Sequence, residues 1–242
     1  MYIGKGITTQ IHDHHAVQLI IDLEGEFELR SALKSNRNFK SVLIGPDFPH
    51  ECITGNDTML ILNISPESSI GANLKRNYLA ENGYEDINNT PTAYFVEKLS
   101  GLLEGEINEK NIVAVTEQYL YKLSGTASPP PIDDRVKQAI TFLEKKEWGT
   151  IKVKEVADSV YISESRLIHL FKEQVGIPIR KYILWLRLVK AIQYSLQNNN
   201  ITQAALASGF LDAPHFNKTL KRMFGLNLTN LKDSQFIQAY WV

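Results

Sequence analysis

Apolar residues change their spacing along the chain, and the change divides it into segments. Within residues 1–70, short apolar runs lie between turns rich in glycine, proline and asparagine, which is typical of strands. These runs predict strands at residues 16–23, 26–33, 41–44 and 59–64. From residue 91 the apolar spacing becomes helical, and it predicts two helices within residues 91–123.

A proline-rich segment then interrupts the pattern. Pro129, Pro130 and Pro131 are consecutive, which removes three backbone donors and favours an extended conformation. We therefore predict a domain at residues 1–124, a linker at 125–132 and a second domain at 133–242. Nearly all of the second domain has helical spacing.

Charge follows the same division. Residues 1–132 hold 17 acidic and 10 basic side chains, whereas residues 133–242 hold 10 acidic and 16 basic ones. The net charge of −1 for all 242 residues therefore conceals an acidic half at −7 and a basic half at +6. Such asymmetry is a weak indication that the basic half binds a polyanion.

Composition narrows the class of protein further. Apolar residues make up 43% of the chain and charged residues 22%, which excludes a disordered or collagen-like chain. The single cysteine, Cys52, excludes an internal disulfide and a zinc site made of cysteines alone. No apolar run approaches the roughly 20 residues that span a bilayer, and the N-terminus has no signal-peptide pattern. We therefore expect no membrane partner and a location in the reducing cytoplasm.

The basic half contains an internal repeat. Ala157 and Gly176 have counterparts further along the chain, Ala205 and Gly225, at almost the same offset. The residue pattern within each copy predicts one helix, a tight turn and a second helix. A longer helix at residues 179–197 joins the two copies, which favours a bipartite DNA reader over a solenoid of many equal repeats.

Each copy has the features of a helix-turn-helix. Ser163 and Asp212 are expected to cap the second helices. Leu167, Phe171 and Phe216 are among the apolar residues predicted to face the core. The opposite face of each second helix is polar and is offered to a DNA major groove.

Three stretches of this half resemble the AraC/XylS transcription regulators. They are residues 167–182 (LIHLFKEQVGIPIRKY), residues 185–188 with Ala191 on the linking helix, and Ala205 with residues 209–212 in the second copy. The resemblance covers about residues 133–232. It implies two helix-turn-helix subdomains that read two nearby major-groove segments of double-stranded DNA.

On this basis we assign DNA contacts residue by residue. The expected base-edge residues are Ser165, Ile168 and His169 in the first copy and Pro214, Asn217 and Lys218 in the second. The expected phosphate contacts are Arg166, Lys172, Lys221 and Arg222. Arg187, on an apolar helix, is predicted to be structural and to pair with an acidic residue between the subdomains.

The acidic half resembles the cupin motifs. Gly6, His12, His14, Gln18 and Gly25 follow the spacing of the first motif, and residues 45–50, which end in His50, resemble the second. Two histidines at i and i+2 on a strand share one face, so His12 and His14 are expected to point the same way. The resemblance allows a metal site of His12, His14, Gln18 and His50, but Gln18 replaces the acid. We therefore expect neither a metal nor another cofactor, and we regard the three histidines as polar anchors of a ligand pocket.

These observations predict an α+β protein of more than one domain. A cupin-like β-barrel and its helices precede an all-α domain with two helix-turn-helix subdomains joined by a long helix. The predicted function is a sequence-specific transcription regulator, not an enzyme, modulated by a ligand or partner at the first domain. A homodimer and, for an activator, RNA polymerase are further expected partners. The alternatives are a cupin-type metal-dependent enzyme, or a regulator whose first domain only dimerises.

Overall fold

A computed structural model describes residues 1–80, 83–105, 108–125, 131–146, 151–198, 200–228 and 234–237. The chain divides into two compact units. Met1–Pro129 and Phe224–Val242 form the first unit, and Pro130–Met223 form the second. Within the proline-rich segment, residues 126–130 lie outside the described residues. The sequence predicts one domain over 133–242, whereas the structure groups the segment from Phe224 onward with the N-terminal unit.

The first unit holds two antiparallel sheets. The strands, in chain order, are β1 (Tyr2–Lys5), β2 (Val17–Asp22), β3 (Phe27–Ser31), β4 (Lys34–Phe39), β5 (Ser41–Ile44), β6 (Glu51–Ile53), β7 (Thr58–Ile64), β8 (Tyr84–Asp86) and β9 (Ser234–Ile237). The larger sheet has the order β8-β5-β2-β7-β1-β9, and the smaller has the order β4-β3-β6. In the centre of the larger sheet, Leu19 on β2 lies opposite Leu43 on β5 and Leu62 on β7.

Strand β2, in the larger sheet, is buried on both faces. Ile20 faces a core shared with the smaller sheet, where it joins Phe27 and Phe39. Its neighbours Leu19 and Ile21 face the opposite way, into a core shared with helices. Because successive side chains of a strand point to opposite faces, the apolar run at residues 19–21 supplies both cores.

Three helices of the first unit cover that second face. They are α1 (Ser69–Tyr78), α2 (Thr90–Glu104) and α3 (Glu109–Ser124). Helices α2 and α3 match the helices predicted within residues 91–123, whereas α1 was not predicted. Phe95 on α2 stacks on Tyr119 of α3, with ring centroids 4.2 Å apart. The Tyr119 hydroxyl also forms a 2.7 Å hydrogen bond with the Thr92 hydroxyl, so the two helices are joined by polar and apolar contacts.

The second unit contains helices α4 (Asp134–Lys145), α5 (Val153–Ser159), α6 (Glu164–Val175), α7 (Ile179–Asn198), α8 (Ile201–Ala207) and α9 (Ala213–Phe224), whose last residue lies just past the unit boundary. The pairs α5–α6 and α8–α9 confirm the predicted repeat. Helix α8 has the same length as α5, and α9 has the same length as α6. Helix α7 is the predicted connecting helix. No helix in the described part of the chain is long and apolar enough to cross a bilayer.

The turns of the two copies have the same backbone shape but different residues. Gly209 adopts φ 81° in the second copy, and Tyr161, at the equivalent position of the first, adopts φ 57°. Left-handed backbone suits glycine, whereas a side chain there meets its own carbonyl oxygen at a cost of about 1–2 kcal/mol. Tyr161 is 93% exposed, so packing does not offset this cost.

The paired turns generate a stability prediction. Gly209→Ala should lower the free energy of unfolding by about 1 kcal/mol, because it places a Cβ on left-handed backbone. Tyr161→Gly should raise it by about 0.5 kcal/mol, because relief of strain exceeds the entropy that glycine adds to the unfolded chain. Urea denaturation followed by circular dichroism measures both changes. Destabilisation by Tyr161→Gly would contradict this account of the turn.

Candidate nucleic-acid interface and histidine cluster

Helices α6 and α9, which we call the reader helices, are fixed at both ends. Ser163 Oγ accepts a hydrogen bond of 3.2 Å from the backbone N–H of Arg166. Asp212 Oδ1 accepts one of 2.7 Å from the backbone N–H of His215. Gly176 and Gly225 follow the two helices with φ 92° and 68°. Both predicted caps are therefore present, and both helices end at a left-handed glycine.

One face of each reader helix is buried in the helix-turn-helix core. Leu167 and Phe171 on α6 and Phe216 and Leu220 on α9 are all 0% exposed. The Phe171 ring meets Tyr182 of α7 edge to face at 5.3 Å. These contacts set the rotation of each helix about its axis, which decides the residues that face outward.

The opposite face carries the predicted DNA contacts at equivalent positions of the two copies. Counted from Ser165 on α6 or Pro214 on α9, the four positions are i, i+3, i+4 and i+7, which lie on one face of a helix. The pairs are Ser165 with Pro214, Ile168 with Asn217, His169 with Lys218, and Lys172 with Lys221. Ile168 and Asn217 are half-buried and the other six are exposed, as are Arg166 and Arg222.

The two reader helices differ in charge. Helix α6 contains Glu164, Arg166, Lys172 and Glu173, which sum to zero. Helix α9 contains Lys218, Lys221 and Arg222 and no acidic residue. Of the two reader helices, only α9 therefore carries a net positive charge.

Helix α7 is attached by two hydrogen bonds to backbone carbonyls that lie just after α4 and just before α5. Lys190 Nζ donates to the carbonyl oxygen of Lys146 at 2.6 Å, and Arg187 Nη2 donates to that of Ile151 at 3.5 Å. Among the described residues Arg187 donates to a backbone carbonyl and forms no ion pair, so the predicted acidic partner is wrong there. A carbonyl at the start of a helix-turn-helix takes that place, and partial burial lowers the pKa of Arg187.

In the first unit, the histidines singled out by sequence form one buried group. We call His12, His14 and His50 the histidine cluster. Each histidine has a ring nitrogen that lies within 4.8 Å of a ring nitrogen of both others. The ring centroids are 4.3 to 5.5 Å apart. The backbones of His12 and His50 exchange two hydrogen bonds, of 2.9 and 3.0 Å, which hold the two chain segments together.

Burial keeps the cluster uncharged. It lowers the pKa of His14 to about 3, with the neighbouring His12 adding to the effect. It also lowers the pKa values of His12 and His50. The Nδ1 atoms of His12 and His50 lie 2.8 Å from the carbonyl oxygens of Gln10 and Phe48. Because a carbonyl only accepts, each Nδ1 carries the ring proton and each Nε2 keeps a lone pair.

Gln18 joins the cluster as predicted from its spacing. Its amide nitrogen donates to Asn63 Oδ1 at 3.1 Å, which turns its Oε1 toward His50 Nε2 at 3.0 Å. Asn63 lies opposite Gln18 on β7 and was not predicted. The Gln18 amide thus connects His50 to β7 through Asn63.

The C-terminal segment of the first unit reaches the cluster, which the sequence did not indicate. The backbone N–H of Gln10 donates to the carbonyl oxygen of Gly225 at 2.8 Å. The Phe224 ring lies 6.1 Å from the His14 ring. A Cβ added to Gly225 would lie 2.3 Å from the Gln10 carbonyl oxygen and 2.7 Å from His12 Nδ1. Only glycine fits this close approach.

Comparisons with known proteins agree with the geometry of the second unit. A family model described as "Helix-turn-helix domain" matches residues 156–234. The probable transcriptional regulator LumQ of Photobacterium leiognathi is 23% identical over 90% of both chains. The arabinose operon regulatory protein of Escherichia coli is 28% identical over 52% of this chain and 45% of its own length.

The fold of the whole chain also has a solved counterpart. ToxT from Vibrio cholerae superposes with a TM-score of 0.61 at 14% identity, over 95% of this chain and 96% of ToxT. Another ToxT structure holds a bound unsaturated fatty acid.

Two helix-turn-helix copies on a joining helix, matched by a helix-turn-helix model, define a DNA-binding transcription regulator. The relatives are transcription regulators rather than enzymes. The resemblance to AraC-type transcription regulators that the sequence predicts is confirmed for the helix-turn-helix region.

Removing the helix caps tests how the reader helices are positioned. Ser163→Ala and Asp212→Ala should each lower the free energy of unfolding by about 1 kcal/mol, because a helix N–H loses its acceptor. Ser163→Asp and Asp212→Asn keep a capping oxygen and serve as controls. Urea denaturation compares the four variants, and an equal loss in a control and its alanine variant would count against capping.

Proposed function

We propose that the protein regulates transcription by inserting α6 and α9 into two neighbouring major-groove segments of one DNA site. The base-edge contacts are Ser165, Ile168, His169, Pro214, Asn217 and Lys218. The phosphate contacts are Arg166, Lys172, Lys221 and Arg222. This assignment is supported by the equivalent outward positions of the two reader helices, opposite their buried faces.

The length of α7 supports reading by both copies. Its 20 residues make a helix of about 30 Å, at 1.5 Å per residue. Successive major-groove segments on one face of DNA are about 34 Å apart. A rigid connector of similar length favours two half-sites separated by about one turn of DNA.

The first unit is proposed to control this reading. A ligand at His12, His14 and His50 would act by binding one conformation of the protein more tightly than another. The fatty acid bound to ToxT supports ligand control in this fold, although it does not identify a ligand here. Homodimerisation is proposed through α2 and α3, whose Tyr94 and Tyr121 are 54% and 63% exposed. RNA polymerase is the partner proposed for an activator. The proposed location is the cytoplasm, where a bacterial chromosome is accessible.

The first experiment identifies the operator, which is the DNA sequence that the protein binds. Selection of bound sequences from a random duplex library with the full-length protein should return a bipartite site with half-sites about one helical turn apart. A single short half-site would contradict reading by both helices.

Binding to the selected site should weaken steeply as salt rises, because phosphate contacts release counterions. Lys221→Ala should weaken binding to all sequences alike and lower the salt slope by about one. Lys172→Ala should do the same. Fluorescence anisotropy between low and physiological salt measures both effects. A slope unchanged in both variants would remove these residues from the phosphate contacts.

Base readout should behave differently. His169→Ala and Lys218→Ala should relax sequence preference at one position of the first and second half-site, at a cost of about 1–3 kcal/mol for the preferred base. Lys137→Ala, an exposed lysine on α4 outside the reader helices, is the control. Repeating the site selection with each variant gives the result. Loss of affinity without any change in sequence preference would show that these two side chains contact phosphates rather than bases.

A further inference from the structure

We propose that Tyr161, in the turn of the first helix-turn-helix copy, is a further DNA contact, whose hydroxyl group donates a hydrogen bond to a phosphate beside the first half-site. The inference rests on the proposed insertion of α6 into a major groove, and it adds a residue that the sequence did not indicate. The contact differs in kind from those of lysine and arginine, because the phenol is uncharged. Four observations support it.

The first observation is the backbone strain at Tyr161. Its φ of 57° lies in the left-handed region, where a bulky side chain is an outlier. Among the described residues, only Asp47 and Tyr161 are non-glycine residues with a positive φ. A short polar side chain such as that of Asp47 tolerates this backbone by bonding locally, whereas the phenol of tyrosine cannot. Strained residues cluster at functional sites, so the strain directs attention to what the side chain does.

The second observation is the exposure of the strained side chain. Tyr161 is 93% exposed, more than any other large apolar or aromatic side chain in the described part of the chain. Tyrosines that serve the core, such as Tyr119 and Tyr182, are at most 4% exposed. Packing within the fold therefore does not explain the ring of Tyr161. Tyrosine is characteristic of binding surfaces, where the ring contributes contact area and the hydroxyl a hydrogen bond.

The third observation is the place of the turn. In a helix-turn-helix, the first helix crosses the DNA backbone and the second begins at the base edges. The turn between them therefore passes the phosphates at the edge of the groove. Tyr161 lies two residues after the end of α5 and two residues before Ser163, which caps α6.

Backbone hydrogen bonds hold this turn in one shape. The N–H of Tyr161 donates to the carbonyl oxygen of Asp158 at 3.3 Å. The N–H of Ile162 donates to the carbonyl oxygen of Ala157 at 3.2 Å. The equivalent bond in the second copy runs from Phe210 to Ala205. Because the turn is already ordered, it presents the phenol to DNA without the entropy cost of ordering a loop.

The fourth observation is the difference between the copies. At the equivalent position the second copy has Gly209, which has no side chain to offer. Its reader helix α9 carries three positive side chains and no negative one, whereas α6 carries two of each. The tyrosine thus belongs to the copy whose reader helix gains less from charge. A neutral donor strengthens phosphate binding there without adding another positive side chain.

A DNA phosphate is the acceptor that suits the phenol in this place. Phosphate oxygens accept hydrogen bonds, and tyrosine is among the side chains that contact the DNA backbone. A hydrogen bond to a charged acceptor is also stronger than one between neutral groups. Phosphates occur at every step of the duplex, so the contact would fix the register and orientation of α6 without specifying a base.

Tyr161→Phe tests the hydroxyl group alone, because it keeps the ring, the charge and the backbone. It should weaken binding of the full-length protein to the selected site by about three- to tenfold, the effect of one hydrogen bond. The loss should be similar for all sequences, because phosphates carry no sequence information. The salt slope should stay unchanged, because a neutral donor releases no counterion. Lys172→Ala is the matched comparison, since it should lower the slope by about one.

Fluorescence anisotropy at several salt concentrations measures affinity and slope in both variants. Unchanged affinity in Tyr161→Phe would overturn the contact. So would a loss confined to particular base sequences.

Tyr161→Gly separates a DNA contact from a purely structural role. Relief of strain should stabilise the fold, while loss of the phenol should weaken DNA binding at least as much as Tyr161→Phe does. Stability and DNA affinity should therefore change in opposite directions. A tyrosine that only shaped the turn would change the two in the same direction. A glycine variant that binds the selected site as tightly as the unmodified protein would disprove the proposal.

The phosphate itself is located with duplexes in which single phosphates are replaced by uncharged methylphosphonates. At one position of the first half-site, the replacement should weaken the unmodified protein more than Tyr161→Phe, by about three- to tenfold, because the two changes remove the same interaction. Replacements in the second half-site should weaken both proteins equally. Equal losses in both proteins at every position would contradict the contact.

The outcomes separate this inference from the proposed function. If the unmodified protein selects no DNA site, DNA reading fails and the inference fails with it. If it selects a bipartite site with the expected salt dependence, and both Tyr161 variants bind that site normally, this inference alone is wrong. Normal DNA binding by Tyr161→Phe with altered transcription by RNA polymerase in vitro would assign the side chain to a protein partner and overturn the DNA contact.

Discussion

The reader helices depend on their anchoring through a stripe of fully buried apolar side chains. Burying a leucine or phenylalanine side chain contributes about 1.5–3 kcal/mol, and each helix buries at least two. Rotating α6 to turn Phe171 outward would bury Lys172, which costs far more than it returns. The core therefore determines which residues face outward. The outward residues can vary in chemistry without any change in the fold that presents them.

In the first unit a buried sheet, rather than a buried helix face, fixes the positions of the functional side chains. Strand β2 is packed on both faces, between the smaller sheet and the helices, so it has little freedom to shift. Gln18 lies on this strand, and His50 directly precedes β6. Polar side chains that would be mobile on a loop are thereby held at defined separations within an apolar surrounding. Such a site discriminates among ligands by the chemistry of a few atoms.

The sequence predicted the fold best where a structural unit repeats or where apolar residues keep a regular spacing. The strands at 41–44 and 59–64, helices α2 and α3, and the helix-turn-helix pair follow from local spacing. By contrast, β6 and β8 have only three residues each and are too short to show a period, and α1 is interrupted by Gly71. The Gln10–Gly225 contact joins distant parts of the chain and has no local signal. The histidines were found by their spacing, but their lone-pair directions depend on carbonyls that only the folded backbone brings close.

The unequal charge of α6 and α9 has a consequence for how the regulator finds its site. A helix with three positive and no negative side chains holds the phosphate backbone of any sequence, and such contacts let proteins slide and hop along DNA. The net charge of α6 is zero, so its two proposed phosphate contacts, Arg166 and Lys172, are offset by Glu164 and Glu173 on the same helix. If both helices contact DNA as proposed, α9 contributes more than α6 to non-specific binding while the protein searches for its site.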